Sequence, residues 1–295
     1  MDEPMTLAEV LKRSYEQLSP AEKRVSRALL ADYPVAGLEP VNRLAERANV
    51  SAPTVLRLLS KLDIGSYPDM QKLLHGEIAA RTSSPATMYA RSTTAASSNG
   101  VVERSQQVMN QGLDATFSGL AIEDFEAIVA LLSNAKRRVW TTGGRFSILL
   151  AKYLSMHLRH LRPNINHVEM SQQDRAFALL DIGPKDVVFA FDYRRYQEST
   201  VAFVRQAKAQ KASTVLITDP WLSPAARHSD YLLTNAVVAA SPFDSMTPGF
   251  ALVETLIASL VDALGTDPVE RVRRYDDVEE LLHDKNIDGI AAVDE

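Results

Sequence analysis

Two short segments in the C-terminal half combine arginines with glycine, serine or aromatic residues, and their chemistry is that of anion binding. The first is 142–147 (TGGRFS) and the second is 192–196 (DYRRY). An arginine guanidinium can hold a phosphate or a carboxylate through paired N–H donors. Glycines allow close backbone approach, and a serine hydroxyl can donate to an oxyanion. The two glycines lack the GxGxxG spacing of a dinucleotide site, so no nucleotide cofactor is predicted.

Each arginine taken alone is as consistent with a solvated surface position as with a binding site. Three arginines in two segments that follow predicted strands favour binding, because ligands of open α/β sheets lie beyond the carboxyl ends of the strands. A glutamate on a long apolar helix is predicted to line the same site or to pair with an arginine. The predicted anion-binding residues are Gly143, Gly144, Arg145, Ser147, Asp192, Arg194, Arg195 and Glu254.

Catalysis and metal binding have weaker support. An isomerase or lyase would need a positioned acid–base pair. His157 and His160 lie three residues apart, a spacing that suits a metal, but no third ligand is evident nearby and the chain has no cysteine. No catalytic residue, metal or cofactor is therefore predicted. The side chains considered as acids or bases are His157, His160, His167, Asp192, Glu198 and Glu254.

Alternating strands and helices must position these segments. The run 186–191 (DVVFAF) is apolar almost throughout, as in a strand that is buried on both faces. The alternation predicts a doubly wound parallel sheet over 105–265. The predicted strands are 138–142, 165–168, 186–191, 213–218 and 230–234, and the predicted helices are 101–120, 122–132, 146–161, 197–210 and 244–264.

The first 81 residues predict only short helices, and two of these helices form a helix-turn-helix. Apolar residues repeat at helical spacing in 40–48 and again in 52–62, and the connection 49–51 is a tight turn. In such a motif the second helix enters the major groove. A solvated amphipathic face is the alternative interpretation, but the whole pattern favours DNA binding. The predicted DNA-binding residues are Arg43, Ser51, Thr54, Arg57 and Lys61.

Composition bounds these interpretations without deciding between them. The chain has 295 residues, which favours two domains, and a formal net charge of −5, with the acidity concentrated in 266–295. The predicted division is a DNA-binding domain at 1–81, a Ser/Thr/Ala-rich linker at 82–104, an α/β domain at 105–265 and an acidic tail at 266–295. An acidic N-terminus and no expected membrane span favour a soluble cytoplasmic protein.

The stretch 38–74 resembles the N-terminal domain of the RpiR/MurR family of bacterial regulators, and about 105–265 resembles the sugar isomerase (SIS) domain. The N-terminal resemblance rests on Leu44, Ala45, Ala48, Val50, Ser51, Thr54, Val55, Arg57, Leu62 and Tyr67. The C-terminal resemblance rests on Gly143, Ser147, Ala151, 186–188, 223–225, Asp230 and 241–245. It implies a regulator whose SIS domain binds a phosphosugar.

Two groups of positions depart from this family pattern. Residues 63–66 replace the usual post-helix glycines, and Arg145 replaces the second glycine of the first SIS loop. The usual Ser-x-Ser-Gly phosphate loop is Asp192-Tyr193-Arg194-Arg195 here. A sugar acid, another organic acid or a differently seated phosphate is therefore as well supported as an ordinary phosphosugar.

The sequence predicts a transcription regulator that binds a double-stranded DNA operator and a small anionic metabolite as effector. A homodimer or homotetramer is expected, since helix-turn-helix proteins commonly read two half-sites. A sugar-phosphate isomerase or lyase, and an SIS domain that serves only for dimerisation, are the alternatives.

Overall fold

The computed structural model describes residues 5–82, 86, 87, 89 and 100–283. Its N-terminal domain consists of helices and its C-terminal domain of a parallel sheet with helices on both faces, as predicted. The N-terminal helices are α1 (Leu7–Ser14), α2 (Pro20–Ala31), α3 (Val35–Leu38), α4 (Val41–Arg47), α5 (Ala52–Lys61) and α6 (Tyr67–Thr82).

Local sequence signals begin the first two helices. Thr6 accepts from the backbone N–H of Glu9, and the Glu9 side chain accepts from the backbone of Thr6; Ser19 and Glu22 form the same capping box before α2. Pro20 occupies the first turn, where its missing N–H costs nothing. Apolar faces of the helices then meet in one core, which includes Leu11, Val25, Leu29, Leu44, Val55, Leu58 and Leu74.

Helices α4 and α5 form the predicted helix-turn-helix. The connection 48–51 is tight, and Asn49 has a positive φ of 50°, a conformation that asparagine tolerates better than most residues. The four-residue helix α3 was not predicted, because two prolines bracket it and it is too short to show a period.

The C-terminal domain has five parallel strands in the order β2-β1-β3-β4-β5. All seven residues of β3 are buried, in agreement with the prediction of a strand covered on both faces. The strands are β1 (Arg138–Gly143), β2 (Ile165–His167), β3 (Asp186–Asp192), β4 (Ser213–Thr218) and β5 (Tyr231–Thr234). The helices are α7 (Val101–Ser118), α8 (Ile122–Ser133), α9 (Ile148–Leu161), α10 (Gln172–Asp181), α11 (Glu198–Ala209), α12 (Thr247–Leu264) and α13 (Asp267–His283).

The structure adds one helix to those predicted in this half. Helix α10 was missed because only two of its ten residues, Arg175 and Ala178, are buried and its apolar period is weak. Helix α7 begins at Val101, the predicted start of the helix, and therefore overlaps the last residues of the predicted linker. The first part of the acidic tail forms α13, while 284–295 and most of 83–99 lie outside the described residues.

Helix α12 also departs from the expectation that no apolar run would be long enough to cross a membrane. Its length and composition alone would allow a span. Four of its residues, Leu252, Val253, Leu256 and Leu260, are instead buried in the core of the C-terminal domain. The helix therefore has a packing role that accounts for its apolar character.

The two domains contact each other through loops that follow β3 and β4. Leu222, which follows β4, is 2% exposed and completes the core of the N-terminal domain. Thr6 donates its hydroxyl hydrogen bond to the carbonyl of Pro220 at 3.3 Å, and Arg227 forms an ion pair with Asp32 at 3.1 Å. The carboxyl edge of the sheet is thus also the edge that holds the helical domain.

Candidate functional site

A cavity of about 280 Å³ opens at the carboxyl ends of β1 and β3. The two segments singled out in the sequence, 142–147 and 192–196, meet there as predicted, because β1 and β3 are neighbours in the sheet. A third segment, 242–250 at the start of α12, closes one side. The lining residues are Gly144, Arg145, Phe146, Ser147, Leu149, Asp192, Tyr193, Arg194, Arg195, Gln197, Pro242, Phe243, Asp244, Met246 and Phe250.

Glycine is required in the loop that follows β1. A Cβ on Gly143 would lie 2.6 Å from the backbone nitrogen of Ile148 and 2.7 Å from the carbonyl of Ser147. Such distances do not occur in real proteins, so the turn from β1 into α9 closes only with glycine here. Ser147 is buried; its hydroxyl accepts from Gly144 N–H at 2.9 Å and donates to the carbonyl of Phe191 at 2.8 Å.

Asp192 ends β3 and is 1% exposed. Its Oδ1 accepts from the backbone N–H of Gln197 at 3.3 Å, and its Oδ2 accepts from the hydroxyl of Ser223 at 2.5 Å. Burial raises the pKa of Asp192 to about 7 against the lowering effect of these hydrogen bonds. The carboxyl group is therefore partly protonated at neutral pH.

Arg194 is engaged by protein groups rather than free for a ligand. Its guanidinium pairs with Asp244 through Nε at 2.8 Å and Nη2 at 2.5 Å, lies over the ring of Trp221, and donates to the carbonyl of Ala80 at 3.3 Å. The side chain is 4% exposed. The prediction that Arg194 binds the anion directly has no support in this arrangement; its position links the cavity to α6.

A second carboxylate supports the same loop. Asp219 is fully buried, accepts from the backbone N–H of Arg194 at 2.5 Å and from the hydroxyl of Tyr196 at 2.6 Å. Burial raises its pKa to about 6. The ring of Tyr196 in turn carries the guanidinium of Arg81 at 4.4 Å from its centroid.

Arg145 and Arg195 are exposed at the cavity, and neither has a hydrogen bond or ion pair with any residue that the structure describes. Their anion-binding role therefore stays a prediction. Glu254 is exposed, does not line the cavity, and accepts a hydrogen bond from the hydroxyl of Tyr153 at 3.1 Å, so the prediction that it lines the site or pairs with an arginine has no support. Helix α12 turns that residue away from the strand ends.

Sequence reasoning missed Arg175, a buried residue of α10 that contacts the end of β1. It is 4% exposed and donates through Nη2 to the carbonyl of Gly143 and to the hydroxyl of Thr200, each at 3.0 Å. Its Nε and Nη1 have no hydrogen-bond partner among the described residues. An arginine in an otherwise weakly periodic segment gave no signal that it would be buried.

The second candidate site is the outer face of α5. Pro53, Leu56, Arg57 and Ser60 are exposed there, while Val55, Leu58 and Leu59 are buried against the domain. Arg57 donates to the hydroxyl of Thr54 at 3.2 Å, which orients its guanidinium along the helix. The helix therefore presents a cation at the place where a recognition helix meets DNA.

Three of the residues predicted to contact DNA, Ser51, Thr54 and Lys61, make hydrogen bonds within the N-terminal domain. The expectation that Thr54 points outward is wrong, because it is 7% exposed and bonds with Ser51 and Arg57. Ser51 precedes α5 but makes no side-chain capping bond. Lys61 donates to the carbonyl of Gln17 at 2.6 Å and to Glu22 at 3.2 Å, so its ammonium is held by the domain itself.

Arg43 is exposed on α4 and forms an ion pair with Glu46 at 3.2 Å. This pair is open to solvent and leaves the guanidinium available for a phosphate. The two histidines whose spacing was considered for a metal make edge-to-face contacts with aromatic rings, His157 with Tyr153 and His160 with Tyr275. Within 5–82 and 100–283, no three His, Cys, Asp or Glu side chains gather in a way that would hold a metal.

Comparison with known proteins agrees with this two-part architecture. Residues 5–81 match the helix-turn-helix domain of the rpiR family, and 131–259 match the SIS domain. An uncharacterized HTH-type transcriptional regulator of Thermotoga maritima is 25% identical over 250 residues, which are 82% of this chain and 86% of that protein. One of Haemophilus influenzae is 21% identical over 227 residues, covering 75% and 76%.

Solved structures share the fold. The sugar isomerase domain of an RpiR transcription factor from Sphaerobacter thermophilus aligns with a TM-score of 0.56 at 23% identity, covering 59% of this chain and 97% of that one. The Vibrio vulnificus NanR protein, complexed with ManNAc-6P, aligns with a TM-score of 0.53 at 17% identity, covering 93% and 98%.

The fold and the two matches together define a helix-turn-helix protein with a C-terminal SIS domain. The chain belongs to the RpiR family, and it is a transcriptional regulator.

Proposed function

We propose that this regulator binds an operator through α5 and changes its operator affinity when a small anionic metabolite occupies the cavity at the ends of β1 and β3. Ligand binding can shift an equilibrium between two domain arrangements only by the difference in its affinity for them. The proposal therefore needs a physical connection between the cavity and the DNA-binding domain.

The loop after β3 supplies that connection, and it is the observation on which the proposal rests. One side of the loop lines the cavity through Asp192 and Arg195. The other side reaches the DNA-binding domain, where Arg194 donates to the carbonyl of Ala80 and Tyr196 carries Arg81. A ligand that displaces this loop must also disturb the end of α6.

Nearby contacts extend the connection toward the helix-turn-helix. Arg227, in the segment after β4, pairs with Asp32, and Asp32 also pairs with Arg47 at the end of α4 at 3.1 Å. Helix α4 packs directly against α5. A movement at the sheet edge thus has a continuous path of contacts to the helix proposed to read DNA.

The relatives support the effector half of the proposal in outline. NanR is described as a complex with ManNAc-6P, and it aligns with nearly the whole of this chain. We infer that this chain also takes an anionic metabolite, and that it acts as a homodimer so that two copies of α5 meet two half-sites. We infer regulation rather than sugar-phosphate isomerisation, because the curated relatives are described as transcriptional regulators.

Selection of DNA by the full chain tests the proposal. The protein should enrich a discrete sequence with two related half-sites from a random duplex library. Fluorescence anisotropy with that duplex should then show an affinity change of about 5-fold or more when an effector is found in a panel of sugar phosphates and organic acids. Failure to enrich any sequence would contradict operator binding, and an enriched operator whose affinity no anion changes would contradict the effector role.

A further inference from the structure

The position in front of α11 where an anion would bind is already filled by carboxylates of the protein itself. Asp192 accepts from the backbone N–H of Gln197, the residue that precedes α11, and Asp219 accepts from the backbone N–H of Arg194. Both carboxyl groups are at most 1% exposed. A phosphate seated on this loop would have to compete for the same N–H donors beside two acidic groups.

The loop after β1 offers no further donor from its serine. The hydroxyl hydrogen of Ser147 is used on the carbonyl of Phe191, and the N–H of Gly144 points to that carbonyl and to Ser147. A Cβ on Gly144 would lie 3.5 Å from both Asp192 Oδ1 and Ser147 Oγ. The two loops therefore lie close together, and the polar groups where they meet are hydrogen-bonded to one another.

Among the described residues that line the cavity, the arginines without a protein partner lie at its rim. The guanidinium of Arg194 is neutralised by Asp244. Arg145 and Arg195 are exposed and have no partner among the described residues. A ligand anion would thus be held by these two side chains, away from the buried carboxylates.

One part of the cavity wall is apolar. Phe146 is 67% exposed and Phe243 is 63% exposed, and Leu149, Met246 and Phe250 lie beside them. Exposed aromatic side chains grouped at a concave site indicate a surface that a bound ligand or partner covers. A hydrocarbon or aromatic body would bury more of this apolar wall than a hydroxyl-rich sugar of the same size.

We propose that the cavity binds an organic carboxylate with an apolar body, held at its carboxylate by Arg145 and Arg195, and not a sugar phosphate seated on the loop after β3. The inference rests on the effector site proposed above and specifies the class of ligand that the site takes. The sequence shows only that the usual phosphate loop is replaced. The structure shows in addition that backbone N–H groups of the replacing loop already donate to carboxylates of the protein.

Displacement of a fluorescent anion from the full-length protein tests the ligand class. The aromatic sulfonate 8-anilino-1-naphthalenesulfonate should bind one site per chain. Octanoate or 3-phenylpropanoate should displace it, while glucose 6-phosphate, N-acetylmannosamine 6-phosphate and inorganic phosphate at the same concentration should not. The double variant Arg145→Ala/Arg195→Ala should weaken probe binding by about tenfold or more.

Arg205→Ala is the matched control, because Arg205 is an exposed arginine on α11 that does not line the cavity. It should leave probe binding unchanged. Displacement by a sugar phosphate at lower concentration than by either carboxylate would overturn the proposal, as would unchanged binding in the double variant. The wild-type protein could also fail to bind the probe while Phe243→Ser lowers the oligomeric mass. This result would show that a second copy of the chain covers the apolar wall, and it would overturn the proposal as well.

Removal of the internal carboxylate gives an independent test. Asp192→Ser and Asp192→Asn should each raise the affinity for inorganic phosphate by about fivefold or more, because a repulsive group is removed; Asp192→Ser also releases the backbone N–H of Gln197. Unchanged phosphate affinity in both variants, with folding intact by circular dichroism, would contradict the filled-loop interpretation.

Operator binding separates this inference from the proposed function. If a sugar phosphate both displaces the probe and changes operator affinity, the effector role stands and only the ligand class is wrong. If carboxylates bind the cavity without changing operator affinity, the ligand class stands and the regulatory role is wrong.

Discussion

A single buried carboxyl group, Asp192, sets the electrostatic behaviour of the cavity. Burial raises its pKa to about 7, while an unfolded chain would hold it near 3.9. Between these two values the folded state keeps a proton that the unfolded state has lost. Stability must therefore fall as the pH rises through this window, and Asp219, with its pKa raised to about 6, adds to the fall with the same sign.

Asp192→Asn should remove much of this dependence, because the amide has the same shape and can still accept from Gln197. The wild-type free energy of unfolding should fall between pH 5 and 7.5, with Asp192 contributing on the order of 2–4 kcal/mol over the full window. Urea unfolding followed by circular dichroism at several pH values measures the slope. Parallel slopes for the two proteins would show that Asp192 does not titrate there.

The close approach at Gly143 gives a second prediction at this scale. Gly143→Ala would bring a methyl group to 2.6 Å from a backbone nitrogen, so the β1 loop must shift. We expect the free energy of unfolding to fall by about 2–3 kcal/mol. Gly183→Ala is the control, because a Cβ there meets no atom within 4 Å. Equal stability of the two variants would contradict the packing described.

At the scale of elements, the exposed face of α5 presents one well-oriented cation, Arg57. Arg57 is positioned by the hydroxyl of Thr54, which lies in turn against Ser51. The helix is anchored through Val55, Leu58 and Leu59, which are at most 1% exposed. Rigid presentation of a guanidinium near the middle of such a helix suits contact with a base or a phosphate.

Arg57→Ala should therefore weaken operator binding by about 5- to 150-fold, equivalent to about 1–3 kcal/mol, and leave anion binding unchanged. Anisotropy with the selected duplex measures the first and probe displacement the second. Arg205→Ala removes the same charge from the other domain and should bind the duplex normally. Wild-type affinity in Arg57→Ala would show that α5 is not the helix that reads the operator.

Elements with strong periodicity could be predicted from sequence, and weakly patterned ones could not. The three central strands, β1, β3 and β4, were evident because parallel strands buried on two faces read as short apolar runs. Helices α3 and α10 were missed because the first has four residues and the second exposes most of its surface. The start of α2 is of the predictable kind, because its capping box of Ser19 and Glu22 is a local sequence pattern.

The candidate site was only partly predictable, for a different reason. Residue types indicated where charges would gather, and adjacency of β1 and β3 brought 142–147 and 192–196 together. Which charges remain available depends on partners far along the chain. Arg194 pairs with Asp244, fifty residues away, and its backbone with Asp219. No local pattern carries that information.

At the scale of the whole molecule, the carboxyl edge of the sheet serves both domains. The loop after β3 carries the cavity on one side and the end of α6 on the other. Coupling between the two functions should therefore depend on contacts that belong to neither binding surface.

Arg81→Ala should test this, because Arg81 stacks on Tyr196 and lies outside both the cavity and α5. The variant should bind the operator and the anion separately with near wild-type affinity, while the factor by which the anion changes operator affinity moves toward one. Anisotropy titrations with and without the anion measure that factor. Arg27→Ala, an exposed arginine on α2, is the control; equal coupling in both variants would exclude the Arg81 contact as part of the connection.

The burial of Leu222 in the helical domain has a consequence for how such regulators can be recombined. The helix-turn-helix domain does not complete its own core, because one of the side chains that fill it, Leu222, belongs to the SIS domain. Cutting the chain after α6 would leave an open apolar slot. A chimaera that joins this helix-turn-helix domain to another C-terminal domain should be less stable than the natural chain unless a leucine of that domain fills the position of Leu222.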